Sequence, residues 1–225
     1  MSQREQAPYG FGEDLPLEAV DPATTLMVSG STLSNAAALA RALVLAGNDA
    51  GEGMLFVSTN TASGKLLSQS TDRHPALDTA RVGIVDCTEQ GSGDPDSGAR
   101  IETLSTPGDL TGIGIEFSKL YRSLHEETGG RVRTGLITVS TLLMYSELRT
   151  LFRFIHTVSG RIEATGGLGV LVIDPTSHED QAVSTLGQLC DGRIEVREPE
   201  SGDADGELRV RGLPDQPGEW TPFGL

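Results

Sequence analysis

Residues 30–37 read Gly-Ser-Thr-Leu-Ser-Asn-Ala-Ala and lie between a short apolar run and an alanine-rich stretch. Strand, short loop and helix form the setting in which Gly-x-x-x-x-Gly-Lys-Ser/Thr holds a phosphate. The glycines let backbone N–H groups wrap the anion, the lysine neutralises it, and the hydroxyl ligates Mg²⁺. Of that set only Gly30 stands in register. Asn35 takes the place of the second glycine, Ala36 that of the lysine and Ala37 that of the hydroxyl residue. Taken alone, the stretch reads as an ordinary strand-to-helix turn with Ser31 or Thr32 as N-cap.

Two other places carry reactive side chains. Asp174 to Asp180 reads Asp-Pro-Thr-Ser-His-Glu-Asp, the densest such cluster in the chain. A metal or hydrolytic site would suit that position, but a Ser/His pair needs an orienting partner that no spacing identifies. The plainer expectation is that Ser177 caps the next helix, with Glu179 and Asp180 at its positive end. Lys65 could supply a cation from a second strand–helix junction, or simply stand solvated at a helix start. Cys87 and Cys190 lack a Cys-x-x-Cys spacing and the four histidines are scattered, so buried free thiols are expected and no metal site is.

The elements that must position these residues alternate. Thr25–Ser29, Met54–Ser58, Arg81–Asp86, Arg133–Val139 and Leu168–Asp174 read as strands. Helices are expected over 34–46, which Gly47 can cap, over 63–71, over 112–127 before Gly129 and Gly130, and over 146–164. Residues 88–100 form a Gly/Asp/Ser-rich segment expected to be a mobile loop. Arg193–Arg197 and Glu207–Arg211 alternate at period two and predict an antiparallel hairpin. The pattern specifies an α/β fold: a mainly parallel sheet with helices on both faces, closed by that hairpin. Ligands of such sheets sit at the C-terminal ends of the strands.

The chain is long enough for one sizeable domain, placed at 21–225, behind an N-terminal tail at 1–20 expected to be partly disordered. No apolar run could cross a bilayer and the N-terminus lacks a secretory pattern, so a soluble cytoplasmic protein is expected. The formal charge is −15, and only Lys65 and Lys119 among the 17 basic residues are lysines. Such an acidic, arginine-rich balance fits a high-salt proteome, where self-repulsion is screened. It argues against direct nucleic-acid binding, which needs clustered cations.

Several segments, in order and spacing, resemble the KaiC-like branch of the RecA superfamily, and within it the halophilic-archaeal KaiC-like proteins of undefined role. Leu26–Gly30 resembles the strand entering the phosphate loop, and Gly53–Ser58 the family's Gly-x-hydrophobic-Tyr/Phe-Val-Ser strand. Cys190–Ile194 resembles its Ala-Asp-Gly-x-Ile turn, Leu208–Gly212 its Leu-Lys-Met-Arg-Gly segment, and Trp220–Phe223 its terminal Pro-Phe. The resemblance implies a RecA-like fold and identifies where its ATP-hydrolysing groups would stand. The two water-activating glutamates fall at Asn60 and Thr61, and the Mg²⁺-orienting aspartate and following serine at Val139 and Ser140. Neither Asn60 nor Thr61 is a general base at neutral pH, and an isopropyl group cannot ligate a hard cation. Arg209 and Arg211 match basic residues that reach a neighbouring subunit's nucleotide, unless, as alternate hairpin residues usually do, they face solvent.

The expectation is therefore a RecA-like domain with no catalytic residue, no metal and no cofactor. Its role would be regulatory, exercised through a protein partner or its own oligomer and not at a membrane. ATP held in a rearranged site is the alternative.

Overall fold

A computed structural model describes residues 7–88, 95–200 and 202–225. Its strands are β1 (Thr24–Ser29), β2 (Gly53–Ser58), β3 (Val82–Asp86), β4 (Arg100–Thr103), β5 (Val132–Ile137), β6 (Leu168–Ile173), β7 (Gly192–Arg197), β8 (Gly206–Arg211) and β9 (Thr221–Phe223). They join in one sheet of order β4-β3-β2-β5-β6-β1-β7-β8-β9. From β4 through β7 every pairing is parallel, and β8 and β9 extend the sheet antiparallel. This is the expected α/β architecture with its closing hairpin.

The helices are α1 (Ala36–Leu45), α2 (Ser63–Arg73), α3 (Leu110–Glu127), α4 (Val139–Tyr145), α5 (Leu148–Thr165) and α6 (Asp180–Gly187). Two apolar clusters flank the sheet. Leu39 and Leu43 of α1 and Leu66 of α2 pack on one face. Phe117 and Leu124 of α3 and Ile155 and Ile162 of α5 pack on the other. Strands β1, β2, β3, β5 and β6 are buried along their whole length, which explains their continuous apolar runs. β7 and β8 cover the core on one face only, and their sequences alternate.

The structure departs from the sequence expectations in four places. The strand expected to run to Val139 ends at Ile137. Thr138 caps α4, its hydroxyl accepting from the Thr141 N–H, and Val139 is the first helical residue, turned into the core. β4 was hidden by its composition: Arg-Ile-Glu-Thr is a short polar edge strand with no alternation to read. The expected loop at 88–100 includes residues 89–94, which lie outside the described residues.

The segment from Ala7 onward is no tail. Tyr9, Phe11, Leu15 and Val20 are buried, and Tyr9 and Val20 form a β-bridge. Residues 1–6 lie outside the described residues. Finally, Gly47 does not cap α1; Ala46 ends that helix in right-handed conformation.

An arginine clamp explains both the buried N-terminal segment and Gly47. Arg133 is buried with Glu52, its Nε 2.5 Å from Glu52 Oε2, and its other nitrogens donate to the carbonyls of Leu43 and Gly10. Arg131 holds the other oxygen of Glu52 and donates to the carbonyls of Ala7 and Pro8, while its guanidinium lies 4.0 Å from the centre of the Tyr9 ring. A side chain at Gly47 would press against this pair, since a Cβ there would stand 3.1 Å from Arg133 and 3.2 Å from Glu52.

Candidate functional site

The parallel strands deliver their C-terminal ends to one rim, and the loops after β1, β5 and β6 meet there because those three strands are neighbours. Gly30 leaves β1 with its N–H bonded to the Ile173 carbonyl. The loop then closes on itself: the Ser34 N–H and hydroxyl both donate to the Ser31 carbonyl, at 3.0 and 2.7 Å. A Cβ at Gly30 would collide with Ser34 Oγ and lie 2.7 Å from the Val196 carbonyl, so close packing alone requires the glycine. Asn35 occupies the left-handed region at φ 61°, which asparagine tolerates better than most residues, and its amide donates to the Asp205 carbonyl at 2.7 Å. Neither Ser31 nor Thr32 caps the helix: Asn35 is the N-cap residue, and no side chain caps it. Ala36 is buried in the apolar cluster and Ala37 is half-buried beside it.

The group that meets this loop is a carboxylate. Asp174, just beyond β6, accepts the Thr32 N–H at 3.1 Å and the Thr32 hydroxyl at 3.0 Å on one oxygen. Its other oxygen accepts from the Thr176 N–H and hydroxyl at 2.9 and 2.7 Å, and its own N–H donates to Ser140 Oγ at 2.8 Å. Burial pushes the Asp174 carboxyl up, but the four bonds from Thr176 and Thr32 outweigh it and hold the group below its ordinary range. Asp174 thus caps the single turn Pro175–Ser177. The cap expected from Ser177 is not made: Glu179 takes the N-cap position of α6 without a side-chain bond. Asp174 was legible as part of a reactive cluster, but its reach to Thr32 depends on the β1–β6 pairing, which no local spacing carries.

The other positions spread along the rim. Ser58 Oγ donates to the Thr61 carbonyl at 2.5 Å, Asn60 is exposed, and Thr59 ties this loop to the carbonyls of Ile137 and Thr138. Lys65 is exposed in the first turn of α2, after β2. β2 lies three strand spacings from β1, roughly 14 Å, so Lys65 is poorly placed to serve the Gly30 loop. Arg209 is engaged within the chain: its Nε stands 2.5 Å from Glu195 Oε2 and its guanidinium 4.5 Å from the centre of the Trp220 ring, which Arg197 approaches to 4.4 Å. Arg211 is exposed.

Sequence reasoning missed Asp86. It ends β3 fully buried and accepts from the Ser63 N–H, the Thr88 N–H and the Thr88 hydroxyl at 2.7–2.9 Å. Burial raises its carboxyl, and those bonds more than offset the rise. The signal available was an Asp-x-Thr at the end of an apolar strand. Cys87 is buried and Cys190 half-buried, and burial pushes both thiols up to about 12, which leaves them inert at neutral pH. Among the described residues, no group of three His, Cys, Asp or Glu side chains could hold a metal. None of the helices described is long and apolar enough to cross a membrane.

A model of a family of unknown function, DUF7504, matches residues 23–196. The chain belongs to that family. The DUF7504 match spans β1 to β7 and so includes the whole parallel sheet and the rim described above. Among solved structures, this DUF7504 member is similar to a KaiC-like protein from the hyperthermophilic archaeon Pyrococcus horikoshii OT3. The TM-score is 0.65 at 13% identity, over 93% of this chain and 89% of that one. At that identity the likeness establishes a KaiC/RecA-like fold. No curated protein matches the chain.

Proposed function

We propose that this DUF7504 member is a non-catalytic KaiC/RecA-like domain, a pseudo-ATPase that acts by binding protein at the C-terminal rim of its sheet. The observation that carries the reading is the Asp174 carboxylate on the Thr32 N–H and hydroxyl. The loop that would wrap a phosphate already donates to an anion of the chain's own, and that charge repels an incoming one. No residue from Gly30 to Asn35 is basic. Ala36 adds a buried methyl, and Val139 lies in the core. The residues present do not fit a magnesium-bound triphosphate, and phosphoryl transfer depends almost wholly on the positioning and electrostatic groups that are missing.

Protein binding is supported by what the rim exposes. Leu33, in the loop after β1, is 76% exposed, and Met144 and Tyr145, on the helix after β5, are 79% and 57% exposed. Large apolar side chains left in water around one rim are a mark of association surfaces. Isothermal calorimetry with Mg²⁺–ATP and Mg²⁺–ADP, with a phosphate-release assay on the same sample, tests the reading. No saturable heat and no release are expected, and micromolar binding at the Gly30 loop would overturn it. Light scattering of the native chain against Leu33→Asp and Met144→Asp asks whether the partner is a second copy, in which case the variants dissociate.

A further inference from the structure

A cleft of about 1330 Å³ lies between α1, α2 and the N-terminal segment. It holds two kinds of arginine. Arg131 and Arg133 are saturated by Glu52 and backbone carbonyls. Arg41 of α1 and Arg73, the last residue of α2, also line it, yet neither has a hydrogen bond or ion pair to any described residue. In a chain with 32 acidic residues that is unusual. Asp14, Asp49, Asp72 and Asp205 line the same cleft, and none forms an ion pair with either arginine.

Arg41 is half-buried, so its guanidinium has lost part of its hydration without gaining a partner. Burial, and then the like charge of Arg73, lower its pKa, which marks a cation in an environment that an anion would improve. Ala38, Ala42, Leu45 and Phe11 give the same cleft an apolar part. The lining is mixed, and cations beside an apolar patch in a concave surface can orient a small molecule.

We propose that Arg41 and Arg73 form an oxyanion-binding site, whose ligand carries a carboxylate or phosphate head on a compact apolar body. The planar guanidinium of Arg41 supplies paired donors to the head group, Arg73 adds charge at the mouth, and the apolar patch takes the apolar body. Arg41 and Arg73 take no part in the rim above, so the site stands whether or not that reading does.

The test is calorimetric titration of the full chain at constant ionic strength with two probes, inorganic phosphate and hexanoate. Saturable binding of at least one is expected, the one that binds identifying the head group, and Arg41→Gln and Arg73→Gln each weaken it by about tenfold or more. Because Arg41 has no structural partner, Arg41→Gln also keeps or raises the thermal midpoint of the ligand-free protein. Failure of both probes to bind, or equal binding by the native chain and Arg73→Gln, would overturn the proposal. Arg73 is exposed, so its variant serves even if Arg41→Gln does not fold.

Discussion

Asp86 and Asp174 close two of the loops at the C-terminal rim, and each does so as an acceptor. Hydrogen bonds hold both carboxyls below the ordinary value of 3.8 despite burial. A carboxyl depressed in the folded state stabilises the fold above its unfolded pKa, and that contribution is lost as pH falls through the folded value. The urea midpoint is therefore expected to stay level from neutral pH to about 5 and to fall below about 4. Asp86→Asn should flatten that acid limb, and an unchanged limb would remove Asp86 from the account. At this scale Gly30 has two accounts: it stands in register with the first glycine of a phosphate loop, and the Ser34 hydroxyl and Val196 carbonyl beside it require a glycine for packing. A residue's identity reports that small size is needed, not which neighbour needs it.

The buried parallel strands and the helices over them were legible because apolar runs and helical spacing are local properties, as in Leu168–Ile173 and in Phe117, Leu120, Tyr121 and Leu124. α4 and β4 were not, since each is too short and too mixed in composition to show a period. The Glu52–Arg133–Arg131 clamp was invisible for a different reason: Glu52 is distant in sequence from the two arginines and meets them only across the β2–β5 pairing. Breaking one partner of a buried pair leaves the other charged and desolvated. Glu52→Gln is expected to cost about 3–5 kcal/mol in chemical denaturation. A loss below about 1 kcal/mol would mean that the guanidinium of Arg133 reaches water in the variant.

The whole molecule carries a net charge of −15, and its exposed ion pairs, such as Arg81–Asp78 and Lys119–Glu116, are of the kind that contributes little individually. Self-repulsion of that size is felt over about 10 Å at 0.1 M salt and only about 3 Å at 1 M. The thermal midpoint is therefore expected to rise steadily with KCl, and dialysis to low salt to unfold the chain. A midpoint independent of salt would refute adaptation to a saline interior. Fold class was readable at this scale from the alternation of elements. The rim was not, because the encounter of Asp174 with Thr32 is a product of strand order, which places β6 beside β1.

Trp220 is the chain's only tryptophan, and its ring lies against Arg197 and Arg209 on the antiparallel flank formed by β7, β8 and β9. Intrinsic fluorescence excited at the indole therefore watches that flank alone, while far-ultraviolet circular dichroism averages over every helix and strand. Followed together through one melt, the two signals report whether the terminal hairpin comes away before the parallel sheet does or with it.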